Sequence, residues 1–392
     1  MVSHVFIMLL SCVLATIAHA SFAVGPAVAQ APRARDLGIP FDGDPGPLNA
    51  ITDVSGVEVG HTTLIRGEPP LQVGVGPVRT GVTAILPRGK QFGPVYAGWH
   101  ALNGAGEMTG TTWLEASGFL EGPIMITTTH SVGVVRDAVL RWMRDDGVHE
   151  AGDSIYLIIP VVAETYDGFL NDVTGFHITQ EHAIEALRTA RGGPVDEGSV
   201  GGGTGTMCHE FKGGIGTSSR TVGPYTLGVL VQCNYGRRTD LVVAGAPVGR
   251  ELTGGEREIH GADGPGAFDD LGSIIVVVAT DAPFLPHQLS RLAQRPSLAL
   301  GRMGSMASDG SGDIFVAFST ANEQAWTSGP ATVETLPNAA LSPFFLATVQ
   351  ATEEAIVNAL VAGRELDGAV GRLFGMPHEE LREILQRFGR LR

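Results

Sequence analysis

Asp269-Asp270-Leu271-Gly272-Ser273-Ile274-Ile275-Val276-Val277-Val278-Ala279-Thr280-Asp281 is the stretch on which the fold turns. From Ile274 to Ala279 the chain is apolar and mostly β-branched, without a polar break. Such a run, bounded by Gly and Asp, predicts a strand buried on both faces. Ser273 then stands where a Gly/Asp/Pro-rich loop enters a rigid sheet, a place from which a hydroxyl can be aimed. Gly272 has no side chain, so a neighbouring nucleophile can approach its carbonyl carbon closely. The pair therefore reads as a self-cleavage site that would make Ser273 a new N-terminus. Taken alone, Gly-Ser ahead of a strand is more often a plain loop end.

Outward from this strand, further apolar runs at Val57–Val59, Gly81–Leu86, Pro123–Thr129, Tyr156–Val162, Tyr225–Gln232 and Ile314–Phe318 read as strands. Helical spacing places Val135, Val139 and Trp142 on one face. Thr179 caps a helix through Thr189, with Gln180 and Glu181 near its positive end. Pro286 opens a helix bearing Leu289, Leu292 and Ala293. Phe345, Val349, Ile356 and Leu360 mark a long amphipathic helix, and Pro377 opens a final one. Strands and helices mix without βαβ regularity, which predicts an α+β fold. The 43% hydrophobic content of the 392 residues is enough for a large core. No linker or composition break divides the chain, so residues 30–392 are expected to form a single domain. A net charge of −15 argues against a nucleic-acid partner, because phosphate binding needs a basic face.

The apolar stretch Val5–Ala18 is followed by small residues at Ala18-His19-Ala20 and Ala27-Val28-Ala29. Residues 1–29 thus read as a signal peptide and leader, cut after Ala20 or Ala29. The stretch is too short for a comfortable membrane span, so soluble export to a periplasm is expected, with no stable membrane insertion. Residues 21 to about 38, small, polar and Pro/Ala-rich, are expected to be a flexible leader. Beyond Cys12 only Cys208 and Cys233 remain. They either bridge or stay buried thiols, and the sequence leaves both open.

A serine hydroxyl needs a base to become a nucleophile. No G-x-S-x-G elbow is present: Gly216-Thr217-Ser218-Ser219-Arg220 fails at its last position, and Gly310-Ser311-Gly312 has the wrong spacing. An N-terminal serine solves the problem by itself, since a free α-amine has a reference pKa of about 8 and can act as base near neutral pH. The glycine-rich segment Gly198–Gly216 lacks a Gly-Lys-Ser/Thr ending and is not a phosphate loop. Histidines 100, 130, 209 and 287 have no metal-ligand spacing, and no metal or organic cofactor is implied. Glu107 is a carboxylate in a second Gly-rich loop, Asn103–Gly110.

Four longer motifs carry a family resemblance: "GSIIVVVATDAPFLPHQLSRLAQR" from Gly272, "SGDIFVAFST" from Ser311, "AETYDGFLND" from Ala163 and "VGGGTGTMCHEFKGGIGTSSR" from Val200. Together they resemble the DmpA family, the L-aminopeptidase D-Ala-esterase/amidases and their β-peptidyl aminopeptidase relatives. The likeness runs from about Ile39 to the C-terminal helix. It implies an αββα sandwich of the DmpA/ornithine acetyltransferase type, N-terminal-nucleophile-like, self-cleaved into an α fragment ending at Gly272 and a β fragment of Ser273–392. It implies that Ser273 is the nucleophile and that Asn234, with Tyr166 as a second donor, stabilises the oxyanion. Glu164 would receive the substrate's free amino group, and at i, i+2 on a strand it could share a pocket with Tyr166. Ser311 and Asp313 would contact the nucleophile and position its amine; some relatives place Glu where Asp313 stands. Without the resemblance, Asn234 reads as a turn residue, Tyr166 as a half-buried aromatic, Glu164 as a solvated carboxylate and Ser311-Gly312-Asp313 as a turn.

The resemblance thus implies a serine aminopeptidase acting on short peptides, amides or esters with a free amino group. Family members assemble as tetramers of αβ heterodimers. An ornithine-acetyltransferase-like acyltransferase is the first alternative, though that group uses threonine where Ser273 stands. The second is an uncleaved, exported peptide-binding protein.

Overall fold

A computed structural model describes residues 32–147, 158–260 and 272–391. Two sheets carry the architecture. Their strands are β1 (Glu58–Arg66), β2 (Val78–Lys90), β3 (Val95–Gly104), β4 (Phe119–Leu120), β5 (Ile124–Thr128), β6 (Val161–Thr165), β7 (Gly214–Val222), β8 (Tyr225–Asn234), β9 (Ser273–Thr280) and β10 (Gly312–Ser319). The four-stranded sheet has the order β1-β2-β5-β6, and the six-stranded sheet the order β4-β3-β10-β9-β8-β7.

The run that opens the sequence argument is β9, buried along its whole length. Side chains alternate across a strand, and here both sides are apolar for different reasons. Ile275, Val277 and Ala279 pack with Ile85, Ile124, Ile126 and Ala163 in a core between the two sheets. Ile274, Val276 and Val278 face the other way, into a core shared with the helices α3 (Pro286–Ala293), α4 (Leu341–Ala362) and α5 (His378–Arg387). A third core lies on the far side of the four-stranded sheet. There Val82, Ala84 and Leu86 of β2 meet α1 (Val132–Asp145) and α2 (Gln180–Thr189) through Val135, Val139, Trp142, Ala183 and Leu187. The layers are therefore helix, sheet, sheet, helix: an α+β sandwich of the αββα kind.

Three expectations need correction. The strand placed at Tyr156–Val162 runs instead over Val161–Thr165. Pro160 has no N–H for a ladder, so pairing starts after it, and Tyr156 lies outside the described residues. The leader does not extend to residue 38: Ala34 is buried and its N–H bonds Asn358 Oδ1 at 3.0 Å. Arg33 and Arg35 pair with Glu197 and Glu354, each at 2.7 Å. Finally, α4 is not amphipathic in its second half, because it lies under β7 and β8 and is buried nearly all round. The signal-peptide reading of residues 1–29 and the loop Asp269–Leu271 lie outside the described residues.

Candidate active site

β9 is the third of the six strands counted from β7, so its first residue has a neighbour on each side. In register, Ser273 lies opposite Asn234 of β8 and beside Gly312 of the parallel β10. Gly312 in turn faces Gly104 at the end of β3. Ser273, Asn234 and Gly312 thus sit in one row at the mouth of the sheet. This placement follows from strand pairing alone.

The Gly312 N–H points at the scissile position suggested by the sequence. It lies 3.2 Å from Ser273 Oγ and 3.0 Å from the Gly272 carbonyl oxygen. Gly272 is pressed against the backbone: a Cβ there would stand 3.0 Å from Tyr235 Cα and 3.3 Å from the Asn234 carbonyl oxygen. A larger residue would have to displace β8, which accounts for glycine at this position. Gly312 is equally confined, since a Cβ there would come within 2.8 Å of both the Ala105 carbonyl oxygen and Gly106 Cα.

Both ends of the Asn234 amide are held. Its Oδ1 accepts from the Met207 N–H at 2.8 Å, and its Nδ2 donates to the Tyr166 carbonyl at 2.9 Å. Tyr166 meets Asn234 through its backbone, while its ring lies over Gly168. Burial, with the Asp167 carboxylate behind it, raises the Tyr166 phenol above its usual range and keeps it a neutral donor. β6 ends at Thr165, so the strand carries Glu164 while Tyr166 stands one residue beyond it.

Glu164 is buried, not solvated. Its Oε1 accepts the Glu107 N–H at 3.0 Å, and its Oε2 accepts the Thr129 hydroxyl. Burial raises its carboxyl above the ordinary range, against the pull of those two donors. A Cβ at Gly106 would touch both Gly312 Cα at 3.1 Å and Glu164 Oε1 at 3.2 Å. Only the glycine loop therefore separates the carboxylate from the row containing Ser273. Glu107 contributes its N–H, whereas its side chain is exposed.

On the other side, Ser311 Oγ donates to Asp313 Oδ1 at 2.7 Å. Asp313 is fully buried, and its Oδ2 has no hydrogen-bond partner among the described residues. Burial pushes its carboxyl up to about 6, although bonds from Ser311 and the Ile274 backbone favour the ionised form. Since Ile274 is its register partner, the carboxylate lies alongside the first peptide of β9. Neither Ser311 nor Asp313 bonds Ser273 Oγ through its side chain; the contact comes from the Gly312 N–H between them.

Sequence reasoning missed several contributors. Thr129, the Glu107 and Met207 amides and Gly312 are backbone donors or unremarkable residues, brought in by pairing between distant strands. Behind Tyr166, buried Asp167 accepts from the Thr128 hydroxyl at 2.7 Å and from Asn171 Nδ2 at 3.0 Å. Cys208 and Cys233, left open by the sequence, are joined in a disulfide, with Cα atoms 5.5 Å apart. Within Gly198–Gly216, a buried turn at Gly201–Gly203 is held by bonds from the Gly201 and Gly202 amides to the Thr63 and Thr83 hydroxyls.

The chain matches the family model "Peptidase family S58" over residues 49–374. It is 57% identical to the β-peptidyl aminopeptidase BapA of Sphingosinicella microcystinivorans over 381 residues, covering 94% of this chain and 95% of that protein. The solved L-aminopeptidase D-Ala-esterase/amidase of Ochrobactrum anthropi, described as a prototype serine aminopeptidase with a variant Ntn hydrolase fold, superposes with a TM-score of 0.84. It is 46% identical, over 92% of this chain and 100% of that one. A Burkholderia sp. β-aminopeptidase gives a TM-score of 0.80 at 46% identity, over 91% and 99% of the two chains. The αββα sandwich accords with these structural matches, and the chain belongs to peptidase family S58 as a serine-type aminopeptidase.

Proposed function

We propose that the protein is a self-processing aminopeptidase that works through an acyl-enzyme on Ser273. The observation that carries the reading is the Gly312 N–H, within hydrogen-bond reach of both Ser273 Oγ and the Gly272 carbonyl oxygen. In self-cleavage Ser273 Oγ attacks the Gly272 carbonyl carbon, and an amide donor steadies the oxyanion. The C–N bond breaks as the nitrogen takes a proton, leaving an ester between Gly272 and Ser273 Oγ. Water hydrolyses the ester to a Gly272 carboxylate, a free Ser273 hydroxyl and a free α-amine. That amine is then the base for substrate turnover, with the buried Ser311–Asp313 pair beside it to orient it.

Substrates would be short peptides, amides or esters whose free ammonium group is received by Glu164. A buried carboxylate already holding two donors can accept a charge-assisted bond, and it disfavours a blocked terminus. The Asn234 amide, fixed by Met207 and Tyr166, is the second candidate oxyanion donor. The β-peptidyl and L-amino/D-Ala activities named for the relatives mark the range to assay. We also infer export, from the apolar stretch Val5–Ala18, and assembly of the αβ pairs into tetramers, from the family resemblance.

Intact mass under denaturing conditions tests the mechanism. Wild-type protein should yield two fragments split between Gly272 and Ser273, whereas Ser273→Ala stays whole and inactive on amino-acid p-nitroanilides. A wild-type chain that remains intact after prolonged incubation sinks the reading.

A further inference from the structure

We infer that the Cys208–Cys233 disulfide is a positioning device for the oxyanion donor Asn234. The inference rests on the proposed role of Asn234 and adds to it. Cys233 and Asn234 are the last two residues of β8. Met207 and Cys208 form one strand of a short ribbon whose partner strand is Phe211–Lys212. Two links join these segments side by side: the hydrogen bond from the Met207 N–H to Asn234 Oδ1 at 2.8 Å, and the covalent bond between the next residue of one segment and the preceding residue of the other.

The second strand of the ribbon is anchored, with Phe211 and Lys212 fully buried and Lys212 Nζ donating to the Gly203 and Gly213 carbonyls at 3.0 and 2.7 Å, whereas Met207 on the first strand is only half-buried. The ribbon itself is short. It has two residues per strand and turns through His209 and Glu210, both with positive φ, of 47° and 64°. Non-glycine residues in that region carry strain that the surroundings must hold in place. Its further ties to the segment just after β8 run from the His209 N–H to the Tyr235 carbonyl oxygen, 2.7 Å, from His209 Nδ1 to the Arg237 carbonyl oxygen, 3.0 Å, and from the Arg238 N–H to Glu210 Oε1, 3.3 Å. Without the bridge, Met207 could drift by the length of a hydrogen bond while the cores stayed intact. The Asn234 amide would then lose the contact on Oδ1 that fixes its plane and keep only the Nδ2 bond to Tyr166. A donor must be aimed at the position the oxyanion will occupy, so a loss of orientation acts on the transition state more than on substrate binding. Both sulfurs are buried and no substrate-amine contact involves them, so KM has no reason to change.

The test compares wild-type protein with Cys208→Ala/Cys233→Ala, scoring kcat, KM and the rate of self-cleavage at Gly272. So that a folding defect in the double variant does not decide the outcome, wild-type enzyme is also incubated for long periods with a phosphine and then reoxidised. The phosphine gives two electrons and takes the oxygen of water to become its oxide, the two protons of water go to the sulfurs, and the Sγ–Sγ bond is replaced by two thiols. Alkylation followed by intact mass counts the thiols. The expected result is a fall of about tenfold in kcat and in self-cleavage, smaller than outright loss of a donor, with KM within about twofold and recovery on reoxidation. Unchanged kcat and self-cleavage in the double variant overturn the inference. So do free thiols in the protein as purified, or an activity loss that only matches the loss of folded protein. The wild-type control keeps the two levels apart: if wild type cleaves itself and hydrolyses substrate while the bridge is dispensable, this inference alone fails. If wild type does neither, the role of Asn234 and this inference fall together.

Discussion

Asp313 carries the clearest pH signature of any residue at the site. Its carboxyl is pushed up to about 6 by burial in the uncleaved chain, while its neighbour Ser311 can donate only to a carboxylate oxygen left free to accept. Raising the pH through about 6 therefore ionises Asp313, and the ionised form is the one suited to draw positive charge toward the first peptide of β9. Self-cleavage of freshly refolded precursor, followed on denaturing gels between pH 5 and 8, should accelerate across that window and then level off. Asp313→Asn should be slower and flat through it; a variant that retains the same rise would show that another group titrates. At this scale, legibility divides by the kind of group. Ser273 and Gly272 could be read because a hydroxyl, a glycine and a buried strand are local features. Glu164 could not be read as buried, since its donors Thr129 and Glu107 come from two other segments. The Met207 and Gly312 amides carry no sequence mark at all, because every residue but proline has an N–H.

Among the elements, α4 shows how a helix can be found correctly and its faces misjudged. The residues read as its stripe, Phe345 to Leu360, lie inside it, but that stripe misses that Glu354 and Asn358 are also buried. Glu354 is fully buried and accepts from Arg35 at 2.7 Å, Arg220 at 2.8 Å and Asn49 at 2.6 Å. Asn358 holds the Ala34 N–H and donates to the Thr217 carbonyl. The helix thus ties the N-terminal segment to β7, a role no periodicity announces because its partners lie hundreds of residues away. Burial pushes the Glu354 carboxyl up, and the Arg35, Arg220 and Asn49 contacts more than offset it, leaving it below the usual carboxylate range. The sign follows: the network stabilises the fold above pH of about 4.5 and loses that contribution as acid protonates the group. Glu354→Ala strands Arg220, which is itself buried, and should cost about 3–5 kcal/mol in urea unfolding at pH 7. A loss below about 1 kcal/mol would mean that water takes over the role of the carboxylate.

For the molecule as a whole, the position of the proposed cut decides what self-cleavage would do to the architecture. Of the elements named above, the β fragment would carry β9, β10, α3, α4 and α5, and the α fragment β1 to β8, α1 and α2. These pieces are interleaved. β9 bonds β8 across the cut on one side, and β10 bonds β3 on the other, so the two strands of the β fragment lie between strands of the α fragment. α4 covers β7 and β8 rather than strands of its own fragment, and the residues of β9 divide between two cores that both fragments build. Each buried Val, Ile or Leu contributes about 1.5–3 kcal/mol, and none of that burial depends on the peptide bond at Gly272. The nicked protein should therefore keep the native mass of the intact Ser273→Ala chain by light scattering, and separate into two species only in denaturant. Residues 273–392 produced alone would expose both edges of a two-strand pair and the face of α4 that β7 and β8 cover. That fragment should be insoluble or unfolded by circular dichroism, and co-expression with residues 30–272 should restore it. If the two pieces instead part at neutral pH without denaturant, the interleaved sheet does not hold them, and the cut would have to serve as a release step rather than the unmasking of a nucleophile.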